Sequence, residues 1–64
     1  HSDKYKQGDR VHYHSEREYE VVDKDGTLDQ CYDDKDYGIT WRVNWDNGTT
    51  TEVTESSRCL KKIS

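Results

Sequence analysis

Strict alternation of apolar and polar side chains through Gly38-Ile39-Thr40-Trp41-Arg42-Val43-Asn44-Trp45, running directly into Asp46-Asn47-Gly48, constrains the fold of this chain more than any other feature. At period two, Ile39, Trp41, Val43 and Trp45 share one face while Thr40, Arg42 and Asn44 take the other, the pattern of a strand with one side buried. Asn47-Gly48 can adopt the positive φ angles of a tight hairpin turn, and the β-branched residues 49–53 that follow suit a return strand.

The remainder of the chain reads as further short strands. Residues 1–7 form a polar, flexible arm with Tyr5 as a candidate anchor, and residues 8–64 form the folded domain. Gly8-Asp9 opens a first strand in which Val11 and Tyr13 face inward and Arg10, His12 and His14 outward. Residues 15–18 connect it to Tyr19-Glu20-Val21-Val22, which is expected to pair antiparallel with it. Asp23-Lys24-Asp25-Gly26 reads as a turn with positive φ at Gly26, followed by an acidic, irregular loop or short edge strand carrying Leu28 and Tyr32. Thr54-Glu55-Ser56-Ser57 has the composition of a single 3-10 turn with a Thr cap, ahead of a closing strand at residues 59–63. The expected class is all-β: five short strands, one long acidic loop and one short turn suit a small, highly bent barrel.

At 64 residues the chain is one domain, near the size where only about 60% of the unfolded surface becomes buried. Apolar residues make up 28% and Phe and Met are absent, so the aromatics must supply much of the core. A formal charge of −4 favours solubility and disfavours a broad grip on nucleic acid, which scales with the cations presented. No apolar run approaches the roughly 20 residues of a membrane span and no signal-peptide core is present, so a soluble, cytoplasmic protein without a membrane partner is expected. His1-Ser2 reads as a cloning remnant and the natural start as lost. Cys31 and Cys59 are separated by 27 intervening residues, with no CxxC. They are either two ordinary core thiols or one disulfide.

Several constellations could carry chemistry. Tyr13, Tyr19, Tyr32, Tyr37, Trp41 and Trp45 could build a cage for a methylated ammonium. The shared face of Trp41 and Trp45 with Ile39 and Val43 assigns those two to the core instead, leaving Tyr32 and Tyr37 as the exposed members. Asp33, Asp34 and Asp36 would complement a cationic ligand beside them. His12 and His14 project from one face at i, i+2, a chelating geometry, but spacing fixes no third ligand, so no metal is assigned. Residues 23–36 hold six Asp against two Lys. They lack the order of a calcium loop. No cofactor motif appears.

Gly8-Asp9-Arg10-Val11, the segment Trp41-Arg42-Val43-Asn44-Trp45-Asp46-Asn47-Gly48, Val53 and Leu60 together resemble the recurring pattern of SH3-like barrels of the Tudor and agenet kinds, over most of residues 8–63. The resemblance implies a five-stranded SH3-like barrel that acts as a binding module. A Gly or Trp usual around the first hairpin of Tudor-type sequences is missing at residues 15–18. Type II dihydrofolate reductase is also similar in its opening GDRV, but its Val-Gln-Ile-Tyr motif would fall at Thr50-Thr51-Glu52-Val53, where it is absent.

The expected function is therefore a non-enzymatic module that engages a protein partner or a second copy of itself. Tyr32, Asp33, Asp34, Asp36 and Tyr37 are its candidate binding residues. The alternative is a nucleic-acid face made of Arg10, His12, His14, Arg17 and Arg42.

Overall fold

A computed structural model describes residues 4–63. The alternating segment forms the strand its pattern predicts, within a series of five: β1 (Arg10–Arg17), β2 (Glu20–Asp34), β3 (Gly38–Trp45), β4 (Thr50–Thr54) and β5 (Leu60–Lys62). All pairings are antiparallel and the sheet order is β4-β3-β2-β1-β5. No helix occurs among the described residues. The expected barrel closure is not present: β4 and β5 each pair with one neighbour and not with each other. β5 is three residues long and makes three residue pairs with β1.

Burial follows the period-two pattern. Trp41, Val43 and Trp45 are buried on one face with Val11, Leu28 and Leu60, and Tyr13, Ile39 and Val53 pack against this cluster. Tyr5, ahead of β1, completes the core at 2% exposure, and its hydroxyl donates to the Leu60 carbonyl at 3.3 Å. The other end of the arm expected at residues 1–7 lies outside the described residues.

β2 departs most from expectation. Residues 23–34 are neither turn nor loop but part of one continuous 15-residue strand at the centre of the sheet. Each residue of Asp23-Lys24-Asp25-Gly26 has a cross-strand reason to be extended: Asp23 lies opposite His14, Asp25 opposite His12, Lys24 opposite Tyr13, and Gly26 between Val11 and Trp45. Gly26 does not take a positive φ. It is there because the side chains of Trp45 and Val43 occupy the space where a Cβ would stand. A register shift between Leu28 and Gln30 marks a bulge, which lets so long a strand bend.

The first hairpin also turns later than its composition suggests. β1 continues to Arg17, and Glu18-Tyr19 make the turn. At the β3–β4 hairpin the Gly48 amide bonds the Trp45 carbonyl at 3.0 Å. Only Gly48 has positive φ, at 92°, so Asp46 and Asn47 form an ordinary turn and Gly48 the left-handed residue after it, rather than a pair of positive-φ residues. Residues 54–57 form one isolated turn, closed by the Ser57 amide on the Thr54 carbonyl. Cys31 is exposed, Cys59 is half-buried, and both are free thiols, neither core pair nor disulfide.

Candidate functional site

Two surfaces on the outer face of the sheet bring chemistry together. The first adjoins β4. Tyr32 and Asp34 from β2, Tyr37 from the following turn, Thr40 from β3, and Glu52 and Thr54 from β4 line a shallow depression of about 280 Å³. Three of the five expected binding residues meet here. Asp33 and Asp36 do not line the depression. Asp34 is partly committed to the local fold, since its Oδ1 accepts the amides of Asp36 at 2.8 Å and Tyr37 at 3.2 Å. A side-chain hydrogen bond with Glu52 raises the Tyr32 phenol above its ordinary value. Tyr37 is 72% exposed, so an aromatic face stands available beside carboxylates.

β4 itself presents unpaired backbone. The Trp45 amide bonds the Thr49 carbonyl, and the Glu55 amide bonds the Ile39 carbonyl. Bonding alternates along an antiparallel pair, so Thr51 and Val53 form the ladder with β3 while Thr50 and Glu52 direct their N–H and C=O groups, and Thr54 its N–H, to the open edge.

The second surface lies on the β1–β2 hairpin. Because His14 pairs with Asp23 and His12 with Asp25, both imidazoles meet carboxylates across the strands. His12 Nδ1 is 2.5 Å from Asp25 Oδ1, and His12 Nε2 is 2.8 Å from Asp23 Oδ1. His14 Nδ1 reaches the same Asp23 oxygen at 2.9 Å, and its Nε2 lies 3.4 Å from Glu16. Hydrogen bonds to Asp25 and Asp23 raise His12 above its usual value, and the bond to Asp23 does the same for His14. Asp23 is lowered by the two histidines in turn.

A pH dependence follows. Both histidines bind protons more tightly in the folded chain, so their contribution to stability is complete below the ordinary 6.5 and is lost as pH rises through their raised values. Asp23 contributes above its ordinary 3.8 and loses that contribution as pH falls through its depressed value. Thermal melts in chelator-containing buffer should therefore show a midpoint that falls as pH rises through the raised histidine range. The double variant His12→Gln/His14→Gln should flatten that slope. A parent midpoint that rises between about pH 6 and pH 8 would contradict the assignment.

The expected nucleic-acid residues are dispersed or occupied. Arg10 holds Asp46 through two nitrogens, at 2.8 and 2.6 Å, and also donates to Thr27. Arg42 lies opposite Glu52. Arg17 faces the other way, lining a groove on the core side with Tyr13, Lys24 and Trp45. In that groove Lys24 Nζ sits 4.4 Å from the Trp45 ring centroid, a contact that the sequence reading missed because it placed Lys24 in a turn. Comparison with family models, curated proteins and solved structures finds no match to this chain.

Proposed function

We propose that this domain is a non-enzymatic binding module of the SH3-like kind, which takes an extended segment of a protein partner, or β4 of a second copy, along the open edge of β4. The reading is carried by the contrast between the two sheet edges. β5 is three residues long and ends in Lys61-Lys62, the charged, short form that resists strand addition. β4 has five residues, four of them β-branched, with Glu52 as its only charge and no proline. Main-chain bonds from Thr50, Glu52 and the N–H of Thr54 would supply affinity, and the depression around Tyr32 and Tyr37 would receive a side chain of the added strand, preferably a cationic one. The nucleic-acid alternative is less well supported, since Arg10, His12, His14 and Arg42 already face Asp46, Asp25, Asp23 and Glu52, and Arg17 lies on the opposite face.

A concentration series of the 15N-labelled chain, and of the chain with displayed extended peptides selected on it, tests the reading. Amides of Thr50, Glu52 and Thr54 should shift and gain exchange protection, while those of Thr51 and Val53 change less. Glu52→Pro removes an outward N–H without touching the β3 ladder and should abolish the association, whereas Glu52→Gln should retain most of it. A chain that stays monomeric and selects only peptides indifferent to Glu52→Pro would reject the edge as the binding element.

A further inference from the structure

We propose that His12, His14 and Asp23 bind a single divalent transition-metal ion of the Zn2+ class on the outer face of the β1–β2 hairpin, a site separate from the β4 edge. The ring nitrogens and the carboxylate of these side chains converge. His12 Nδ1 lies 2.5 Å from Asp25 Oδ1, and His14 Nε2 lies 3.4 Å from Glu16 Oε1. Each ring nitrogen faces a carboxylate, and an ionised carboxylate only accepts, so the doubly protonated rings hydrogen-bond to both of their partners. Once deprotonated, each ring has one N–H for two carboxylates, and where that proton stays on the Asp25 or Glu16 side a lone pair faces Asp23 Oδ1, at 2.8 Å from His12 Nε2 and 2.9 Å from His14 Nδ1. Three electron-rich atoms thus meet within 4.8 Å of one another. A divalent ion in place of the shared protons would take all three atoms as ligands at once.

The surroundings fit an ion as well. Asp25 and Glu16 stand behind the two imidazoles in the position of the carboxylates that orient metal-bound histidines and raise their basicity. Two imidazoles and a carboxylate suit Zn2+ with water completing the shell, whereas Ca2+ and Mg2+ favour oxygen-only sets. Tetrahedral ligands at about 2.0–2.1 Å from an ion stand about 3.3 Å apart, so each ring nitrogen has to move about half an ångström away from Asp23 Oδ1. His12 and His14 side chains are 35% and 46% exposed and can do so without moving the backbone. A depression of about 460 Å³ bounded by His12, Asp23, Asp25 and Asp46 leaves room for the waters. Strand register holds the triad: Asp23 lies directly opposite His14 and diagonal to His12, so no loop must order, and the ion would tie β1 to β2.

Calorimetric titration of Zn2+ into the full chain, with amide shifts followed in parallel, tests this. Expected are one ion per chain, shifts centred on His12, His14 and Asp23, and a chelator-reversible rise in the melting midpoint. His14→Gln and Asp23→Asn should weaken binding by more than tenfold, and Asp25→Asn by about 10–100-fold. Glu18→Gln, in the hairpin turn, should change nothing. Circular dichroism of each variant confirms folding; should His14→Gln unfold, Asp25→Asn leaves all three ligands in place and still gives the answer. The assignment is overturned by the absence of saturable binding, by a folded His14→Gln that binds as tightly as the parent, or by shifts centred on His1, Cys31 or Cys59.

Discussion

Gly26→Ala should lower the melting midpoint by about 5–10 °C, the shift that a net loss of about 1.3 kcal/mol produces in a domain of this size. An added Cβ would stand 2.7 Å from both Trp45 Cε3 and Val43 Cγ1 and 3.0 Å from the Asn44 carbonyl oxygen. Trp45 and Val43 are 3% and 0% exposed, so neither side chain has a free direction in which to yield. β2 cannot retreat either, because Gly26 is paired with Val11 on one side and Trp45 on the other. Overpacking of this kind costs about 1–3 kcal/mol. The reduced freedom of the unfolded chain returns about 0.4–1 kcal/mol of that. Gly26→Val should be worse. A double-mutant cycle separates crowding from a backbone effect: in a Val43→Ala background, which opens space beside the site, the cost of Gly26→Ala should shrink. Gly26→Ala with a midpoint at or above the parent's would mean that the packing around Trp45 is looser than these distances require.

The same glycine shows how the chain could be misread. Asp-Lys-Asp-Gly has turn composition, and local propensity alone places a turn there. Its extended form is decided by partners distant in sequence: the two Asp answer His12 and His14, Lys24 lies over the Trp45 ring, and the missing side chain of Gly26 admits Trp45. β3 was legible because its signal is internal, four apolar residues at period two on one strand. Tyr5 was legible as an anchor by its isolation in a polar arm.

The histidine cluster was half legible. Period two puts His12 and His14 on one face from sequence alone, but the third group depends on register, and register depends on the turn. A turn at residues 15–18 leaves His14 without Asp23. Moving it to Glu18-Tyr19, as found, sets His14 against Asp23 and His12 against Asp25. A shift of this size is small on the scale of secondary-structure assignment and decisive for a site built across two strands. The β4 edge was legible as a strand but not as an edge, because which strands lie outermost is a property of the whole sheet. The barrel expectation was met in part at that same level: five antiparallel strands are present, but β4 and β5 do not pair, and closure is a property of the whole sheet rather than of local propensity.

Trp45→Ala should remove about 3–5 kcal/mol, the usual cost of deleting a buried indole. A domain of this length is expected to have about 3–10 kcal/mol in total, so the variant should be partly unfolded near room temperature or melt far below the parent. Trp45 is 3% exposed and meets Tyr13 edge-on, with ring centroids 5.8 Å apart. Its Nε1 donates to Thr51 Oγ1 at 2.7 Å, tying β3 to the strand whose outer edge is the proposed binding element. Lys24 covers the remaining ring face. Trp45→Phe keeps most of the apolar contact and loses the bond to Thr51, so it should cost about 0.5–1.5 kcal/mol for that bond plus a smaller packing deficit. The order parent, Trp45→Phe, Trp45→Ala in urea midpoint is therefore the expected result. A Trp45→Ala chain that melts cooperatively close to the parent would show that the indole is not a core residue; with Tyr13 and Lys24 around it, Trp45 would then belong to an open aromatic face, and the groove on the core side would replace the β4 edge as the better binding surface.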